Sequence, residues 1–182
     1  MEIFDIVDKN GIPTGKTVDR ETAHAQGIPH RTSHVWIVRK KGKKLQVLLQ
    51  KRSEQKDSYP GCYDISSAGH IPAGVDFVPS ALRELKEELG VEADAGQLRY
   101  CGQRQFSFRA AFHGKPFHDN QVSNVYLLWL DKEPAEFTLQ PDEVESVAWF
   151  DMDDCIYKVS HGQIPNCIYL DELRMVEKGA QE

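Results

Sequence analysis

The sequence predicts an α/β layered fold, and three observations predict it. Short runs rich in β-branched and apolar residues recur along the chain, as in His34-Val35-Trp36-Ile37-Val38 and Leu45-Gln46-Val47-Leu48-Leu49. Between them, Val78, Leu82, Leu85 and Leu89 recur at helical spacing in an otherwise charged segment. A second amphipathic stretch occupies residues 168–178. Strands on either side of a helix, with another helix at the end, imply layers of helix on a mixed sheet.

Taken in order, Ile3 to Asp8 reads as a strand ending in the turn Lys9-Asn10-Gly11. Residues 17–29 are polar and suit a short helix or loop. The strands at 34–38 and 45–49 are joined by a Lys-Gly turn at 41–43, Tyr59-Pro60-Gly61 is a loop, and Asp64 to Ser67 is a short strand. The helix over 79–89 starts at Pro79, which suits a first turn, and stops at Gly90, which suits a left-handed cap. Strands follow near 98–112, 122–130 and 145–150, with a turn at His113-Gly114-Lys115-Pro116. The 182 residues contain no repeat, low-complexity tract or linker, so one domain is expected.

Composition excludes several classes of function. A formal net charge of −6 leaves no basic footprint for a nucleic-acid polymer. No apolar run is long enough to span a membrane, and the start Met1-Glu2-Ile3-Phe4-Asp5 lacks the basic and apolar regions of a signal peptide. Cysteines 62, 101, 155 and 167 form no Cys-x-x-Cys pair, so reduced thiols in the cytoplasm are expected. A small molecule is the partner these features leave.

The chemistry is concentrated in Arg83-Glu84-Leu85-Lys86-Glu87-Glu88-Leu89-Gly90-Val91. Glu84, Glu87 and Glu88 stack on one helix face at i, i+3 and i+4, where like charges cost roughly 0.2–0.5 kcal/mol per pair unless a cation neutralises them. Mg²⁺ is held by one or two carboxylates together with substrate phosphates. With the preceding Gly69-His70-Ile71-Pro72-Ala73-Gly74, this segment resembles the Nudix box over residues 69–91. One position departs, Val75 standing where the box has its first Glu, with Asp76 beside it. The resemblance implies an α/β/α sandwich on a mixed sheet over roughly 32–160, with residues 1–31 as an N-terminal extension. It also implies Mg²⁺-dependent (or Mn²⁺-dependent) hydrolysis of a diphosphate bond in a small molecule. Glu84, Glu87, Glu88 and the backbone carbonyl of Ala68 would hold the metal. Glu84 would orient or deprotonate the attacking water, and Arg83 would orient the carboxylates.

A second resemblance concerns Lys51-Arg52-Ser53, Lys56, Tyr59-Pro60-Gly61 and Ser67-Ala68-Gly69-His70, which look like the type I isopentenyl diphosphate isomerases, a branch of the same fold. It implies that Arg52 and Lys56, in an exposed loop, hold the substrate diphosphate, and that His24, His30 and His70 form a second metal site. The chain departs from that branch where its chemistry resides. Ala68 stands in place of the catalytic Cys, Glu84 and Glu87 are retained, and Asn120 to Asn124 offers amides where two glutamates are expected. Without the thiol or that Glu there is no evident proton donor and acceptor for allylic isomerisation. The favoured reading is therefore a hydrolase on an isomerase-like scaffold, with an isomerase-like enzyme or a non-catalytic diphosphate-sensing module as alternatives.

Phe106, Phe108, Tyr59, Tyr63 and Trp149 offer rings to a base, although strand aromatics usually belong to a core, as is expected of Trp149. Glu143 reads as a solvated turn residue, with a late catalytic carboxylate as the alternative. Nucleoside diphosphate derivatives, dinucleotides, prenyl diphosphates and thiamine-type diphosphates all suit these residues.

Overall fold

The computed structural model describes residues 1–182. Its centre is a seven-stranded mixed sheet. β3 (His30–Lys41) lies between β4 (Lys44–Arg52) and β8 (Lys115–Trp129), antiparallel to the first and parallel to the second. β5 (Tyr63–Asp64) and β9 (Val144–Asp151) pair with β4, β6 (Ser67–His70) pairs with the start of β3, and β7 (Arg99–Phe112) pairs with β8 in a long hairpin.

The unbroken apolar run in β3 has a direct physical reading: a central strand covered on both faces needs no polar alternation. Val35 and Ile37 pack with Leu48 and Leu128 against Ala81, Leu85 and Leu89 of α2 (Phe77–Leu89). Trp36 and Val38 face the opposite way, onto Met152, Cys155 and Ile156 of α3 (Met152–Ser160) and Leu173 and Val176 of α4 (Leu170–Gln181). The result is the expected α/β/α sandwich.

α2 begins two residues before Pro79, because the Asp76 carboxylate accepts the Phe77 N–H at 2.7 Å and caps the end. Gly90 closes the helix in the left-handed conformation (φ +66°), as its position predicts. Leu82 and Val78, expected on the buried face, are only partly buried, and the stripe centres instead on Ser80, Ala81, Leu85, Glu88 and Leu89. α3 is not visible in the sequence pattern, and β2 (Pro13–Asp19) falls between the turn expected at 9–11 and the short helix or loop expected over 17–29, overlapping only the latter.

The first 31 residues are part of the globule. β1 (Ile3–Val7) and β2 form a hairpin, and α1 (Arg20–Gln26) is capped by Asp19, which accepts the Thr22 N–H at 2.9 Å. Phe4 is fully buried, and the Ala73 N–H donates to the Ile3 carbonyl at 2.8 Å. Arg31 reaches both Asp5 (3.0 Å) and the Val75 carbonyl (2.8 Å), tying the hairpin to the loop before α2.

Candidate active site

A cavity of about 1460 Å³ opens between α2, β6, the start of β3, α1 and the β7–β8 hairpin. Its lining includes Glu84, Glu87, Glu88, His24, His70, Arg52, Lys56 and Asp119.

The three glutamates differ in surroundings. Glu88 is 6 % exposed, the most buried of them, and its Oε2 accepts from Ser67 Oγ (2.8 Å), Gln50 Nε2 (3.2 Å) and the Ala68 N–H (3.3 Å). Burial pushes its carboxyl up to about 8, against the pull of the Ser67 hydroxyl. Glu84 lies directly over Gly69: a Cβ there would stand 2.2 Å from the Glu84 Cδ, so only glycine leaves room for the carboxylate. Burial raises the Glu84 carboxyl, and the Arg83 guanidinium, 2.6 Å away, pulls the other way. Arg83 also leans on the His70 carbonyl at 3.5 Å, joining α2 to β6. Glu87 is exposed at the mouth. The three carboxylates, from one helix, line the same cavity, with Arg83 beside Glu84. That arrangement suits a hard divalent cation such as Mg²⁺.

Across the cavity, His24 of α1, His30 of β3 and His70 of β6 have ring nitrogens within 4.8 Å of one another. A fourth member, missed in the sequence, is Asp119 of β8, whose Oδ1 is 3.6 Å from His30 Nε2 and 3.7 Å from His24 Nε2. The signal was there in Asp119-Asn120-Gln121, two polar side chains on one face of a strand, but the acidic member lies one residue before the amide-rich segment at 120–124. His24 Nε2, His30 Nε2, His70 Nε2 and Asp119 Oδ1 are all buried and have no hydrogen-bond partner. Four such orphans facing one point are costly unless something joins them. His30 donates its Nδ1–H to the Ile28 carbonyl at 2.8 Å, which leaves Nε2 as a lone pair. Burial lowers the pKa of His24 to about 4 and also depresses His30 and His70, so the rings are neutral, as ligands must be. Burial raises Asp119 to about 6. Phe4, fully buried, stacks on His30 and on His70 at 5.0 Å and covers that side of the cluster. Three imidazoles and one carboxylate fit a divalent transition ion.

Arg52 and Lys56 both line the cavity, but Arg52 does not sit in an exposed loop. It ends β4, is 16 % exposed, and spends its guanidinium on the Ser58 carbonyl (2.8 and 3.1 Å) and Asp64 (3.0 Å). Lys56 is ion-paired with Glu143, so that residue is held in the cavity wall and is not a freely solvated turn residue. Ala68 presents a methyl group on β6 in register with His34, and the cysteine that lines the cavity is Cys167.

Of the aromatic residues considered, Tyr59, Phe106 and Phe108 line the cavity. Tyr59 and Phe108 join Phe112 and Phe117, with ring centroids 5.1–6.0 Å apart, and Phe106 pairs separately with Tyr169 at 4.9 Å. Tyr63 packs edge-on against Phe150 at 5.4 Å, away from it. Trp149 lies under the Arg39 guanidinium at 4.2 Å and donates its Nε1–H to the Lys132 carbonyl, in keeping with a packing role.

A family model described as the NUDIX domain matches residues 28–166. The chain belongs to the Nudix family. It is 43% identical over 152 residues to Nudix hydrolase 3 of Arabidopsis thaliana, a match covering 81% of this chain but only 19% of that protein. It is 35% identical to an uncharacterized Nudix hydrolase of Clostridium acetobutylicum, over 84% of this chain and 71% of that one. It is also 31% identical to an isopentenyl-diphosphate Delta-isomerase of Cutibacterium acnes, over 82% and 73% of the two chains. Among solved structures, a Deinococcus radiodurans protein superposes with a TM-score of 0.70 at 21% identity, over 96% of this chain and 99% of that one. The NUDIX-domain match and the relatives named as Nudix hydrolases support a hydrolase acting on phosphorus-containing acid anhydrides. No helix is long and apolar enough to cross a membrane.

Proposed function

We propose that this Nudix hydrolase cleaves the diphosphate bond of a small organic diphosphate, with Mg²⁺ or Mn²⁺ held by Glu84, Glu87, Glu88 and the Ala68 carbonyl. The observation that carries the reading is Glu84 seated over Gly69 beside the buried Glu88, with Lys56 on the same cavity. Held there, the cation would supply positive charge to the phosphoryl oxygens and would acidify the attacking water. Glu84 would orient that water and accept its proton, a task suited by a carboxyl whose proton affinity burial raises. Arg83 holds Glu84 in place from the helix flank. Lys56 exchanges Glu143 for the phosphate that is not attacked, and the organic group lies along the wall of Tyr59, Phe106 and Phe108. His24, His30, His70 and Asp119 hold a second divalent ion. Work in the cytoplasm on a small molecule, with neither membrane nor polymer partner, agrees with the charge and composition.

The His24/His30/His70 cluster and the isomerase relative favour a second reading, an isomerase-like enzyme. Screening against nucleoside diphosphate sugars, dinucleotides, prenyl and thiamine-type diphosphates, with Mg²⁺ omitted as control, tests both. Mg²⁺-dependent release of phosphate products is expected. Isopentenyl diphosphate should give no dimethylallyl diphosphate, because Ala68 supplies no thiol. Isomer formed at enzymatic rates, with no hydrolysis of any compound, would replace the first reading by the second.

Lys56→Ala removes a charge-assisted hydrogen bond to phosphate, worth roughly 1.5–3 kcal/mol. A loss of about tenfold to a hundredfold in kcat/KM follows, with little change in Tm. Arg52→Ala behaves differently, because it strands the Asp64 carboxylate and the Ser58 carbonyl. It should lower stability by about 1–3 kcal/mol as well as activity. Steady-state kinetics and thermal unfolding on the two variants check this split, and parental kinetics in Lys56→Ala would retire its phosphate role.

A further inference from the structure

Glu172 on α4 is 1 % exposed and accepts three hydrogen bonds, from Arg104 Nη1 (2.7 Å), Trp36 Nε1 (2.9 Å) and His34 Nδ1 (2.7 Å). The remaining nitrogens of Arg104 are matched to Asp171 at 2.9–3.1 Å, so Glu172 bonds Arg104 through Oε2 and His34 through Oε1. From His34 the contacts continue. Its Nε2 is 3.2 Å from Thr32 Oγ1, which is 3.1 Å from Gln121 Oε1 and 2.6 Å from Ser123 Oγ. Gln121 Nε2 in turn lies 2.6 Å from Asp119 Oδ2.

The direction of each link follows from counting protons. The Asp119 carboxylate only accepts, so Gln121 turns its amide N–H toward it and its oxygen toward Thr32. The single hydroxyl proton of Thr32 goes to that oxygen, so Thr32 Oγ1 accepts from Ser123 and from His34 Nε2–H. Glu172 accepts from Nδ1–H, and His34 donates from both ring nitrogens. The chain is thus unbroken and one-directional from His34 to Asp119, and every member is under a tenth exposed.

We propose that Gln121, Thr32 and His34, anchored by Glu172, are positioning residues for Asp119. By occupying Oδ2 they turn the orphaned Oδ1 toward His24, His30 and His70 and set the affinity of that cluster for its ion. This inference rests on the reading of the cluster as a metal site. It makes α4 an outer support of a centre formed by α1, β3, β6 and β8. Outer partners of this kind are worth about tenfold to a hundredfold in metal affinity.

Co²⁺ titrated into chelator-stripped full-length protein separates the possibilities. Visible absorption reports nitrogen-rich ligation, calorimetry the affinity, and melting of the metal-free protein the fold. The parent should show a d–d band displaced from that of aqueous Co²⁺, and Asp119→Asn should weaken or remove it. Gln121→Met and Thr32→Val should each weaken Co²⁺ binding by roughly tenfold to a hundredfold. Ser123→Ala, which contacts Thr32 but lies off the path, should change it little. Metal-free melting should stay near the parent in at least one of the two path variants, whose affinity then decides. Parental affinity in that variant, with Asp119→Asn defective, overturns the positioning role and leaves the cluster standing. Absence of the band in the parent overturns the cluster itself and the inference with it.

Discussion

Glu88→Gln lowers kcat by roughly a hundredfold to a thousandfold, the scale of a lost charge at a phosphoryl-transfer centre, and leaves the protein folded. The reason is local. Glu88 Oε2 takes all three donors, from Ser67, Gln50 and Ala68. A glutamine keeps an oxygen there and loses only the negative charge offered to the cation. The same residue makes metal-free stability depend on pH. Its folded carboxyl is raised to about 8 from an ordinary value near 4.5, so the folded state keeps a proton that the unfolded chain releases. That contribution is complete below about pH 4.5, declines above it, and is lost as pH rises through about 8. Glu88→Gln removes the decline, so the variant should gain on the parent between pH 5 and 8 in chelator, by an amount on the order of a few kcal/mol. Mg²⁺ should stabilise the parent more at pH 8 than at pH 5, because the ion keeps Glu88 charged. Denaturant unfolding across pH, with and without Mg²⁺, measures all three quantities. Parental turnover in Glu88→Gln on a Mg²⁺-dependent substrate would remove this residue from the metal site.

Gly69→Ala should abolish most activity while hardly touching stability. The added Cβ would meet the Glu84 Cδ at 2.2 Å, Oε1 at 2.4 Å and Cγ at 2.5 Å. No left-handed backbone is required at Gly69, so alanine is not strained there. What yields is the flexible end of Glu84, which swings out of the position from which it serves the cation and the water. A loss of about a hundredfold or more in kcat is expected, since small displacements of a catalytic group are costly. Gly90→Ala is the counterpart. Its left-handed φ of +66° and the Thr138 Cβ 2.7 Å away from an added methyl make it a stability defect, with kinetics little changed in the folded fraction. If Gly69→Ala lost stability and kept its rate, Gly69 would be a folding residue and Glu84 would have no need of its present place.

The chain on its own determined what depends on neighbours in sequence. The box helix, its Gly90 cap, the carboxylate face at 84, 87 and 88, and the buried β3 run all follow from spacing and from local capping energetics. Tertiary structure decided which distant groups meet. Thr32 touches Ser123, 91 positions away, only because β3 and β8 pair in a parallel register that no local pattern specifies. The same register carries Asp119 to His30 and Gln121 to Thr32, which is why the acidic member of the histidine cluster was missed. Arg52 read as an exposed charge because Asp64 and the Ser58 carbonyl reach it only after β4, β5 and the intervening turn have folded together. Residues 1–31 read as an extension because their contribution, Phe4 over two imidazoles and His24 beside them, exists only once β1 and α1 close on the sheet. Burial is likewise a tertiary quantity: three glutamates alike in sequence become one exposed, one partly covered and one enclosed, and desolvation raises the proton affinity of Glu84 and Glu88.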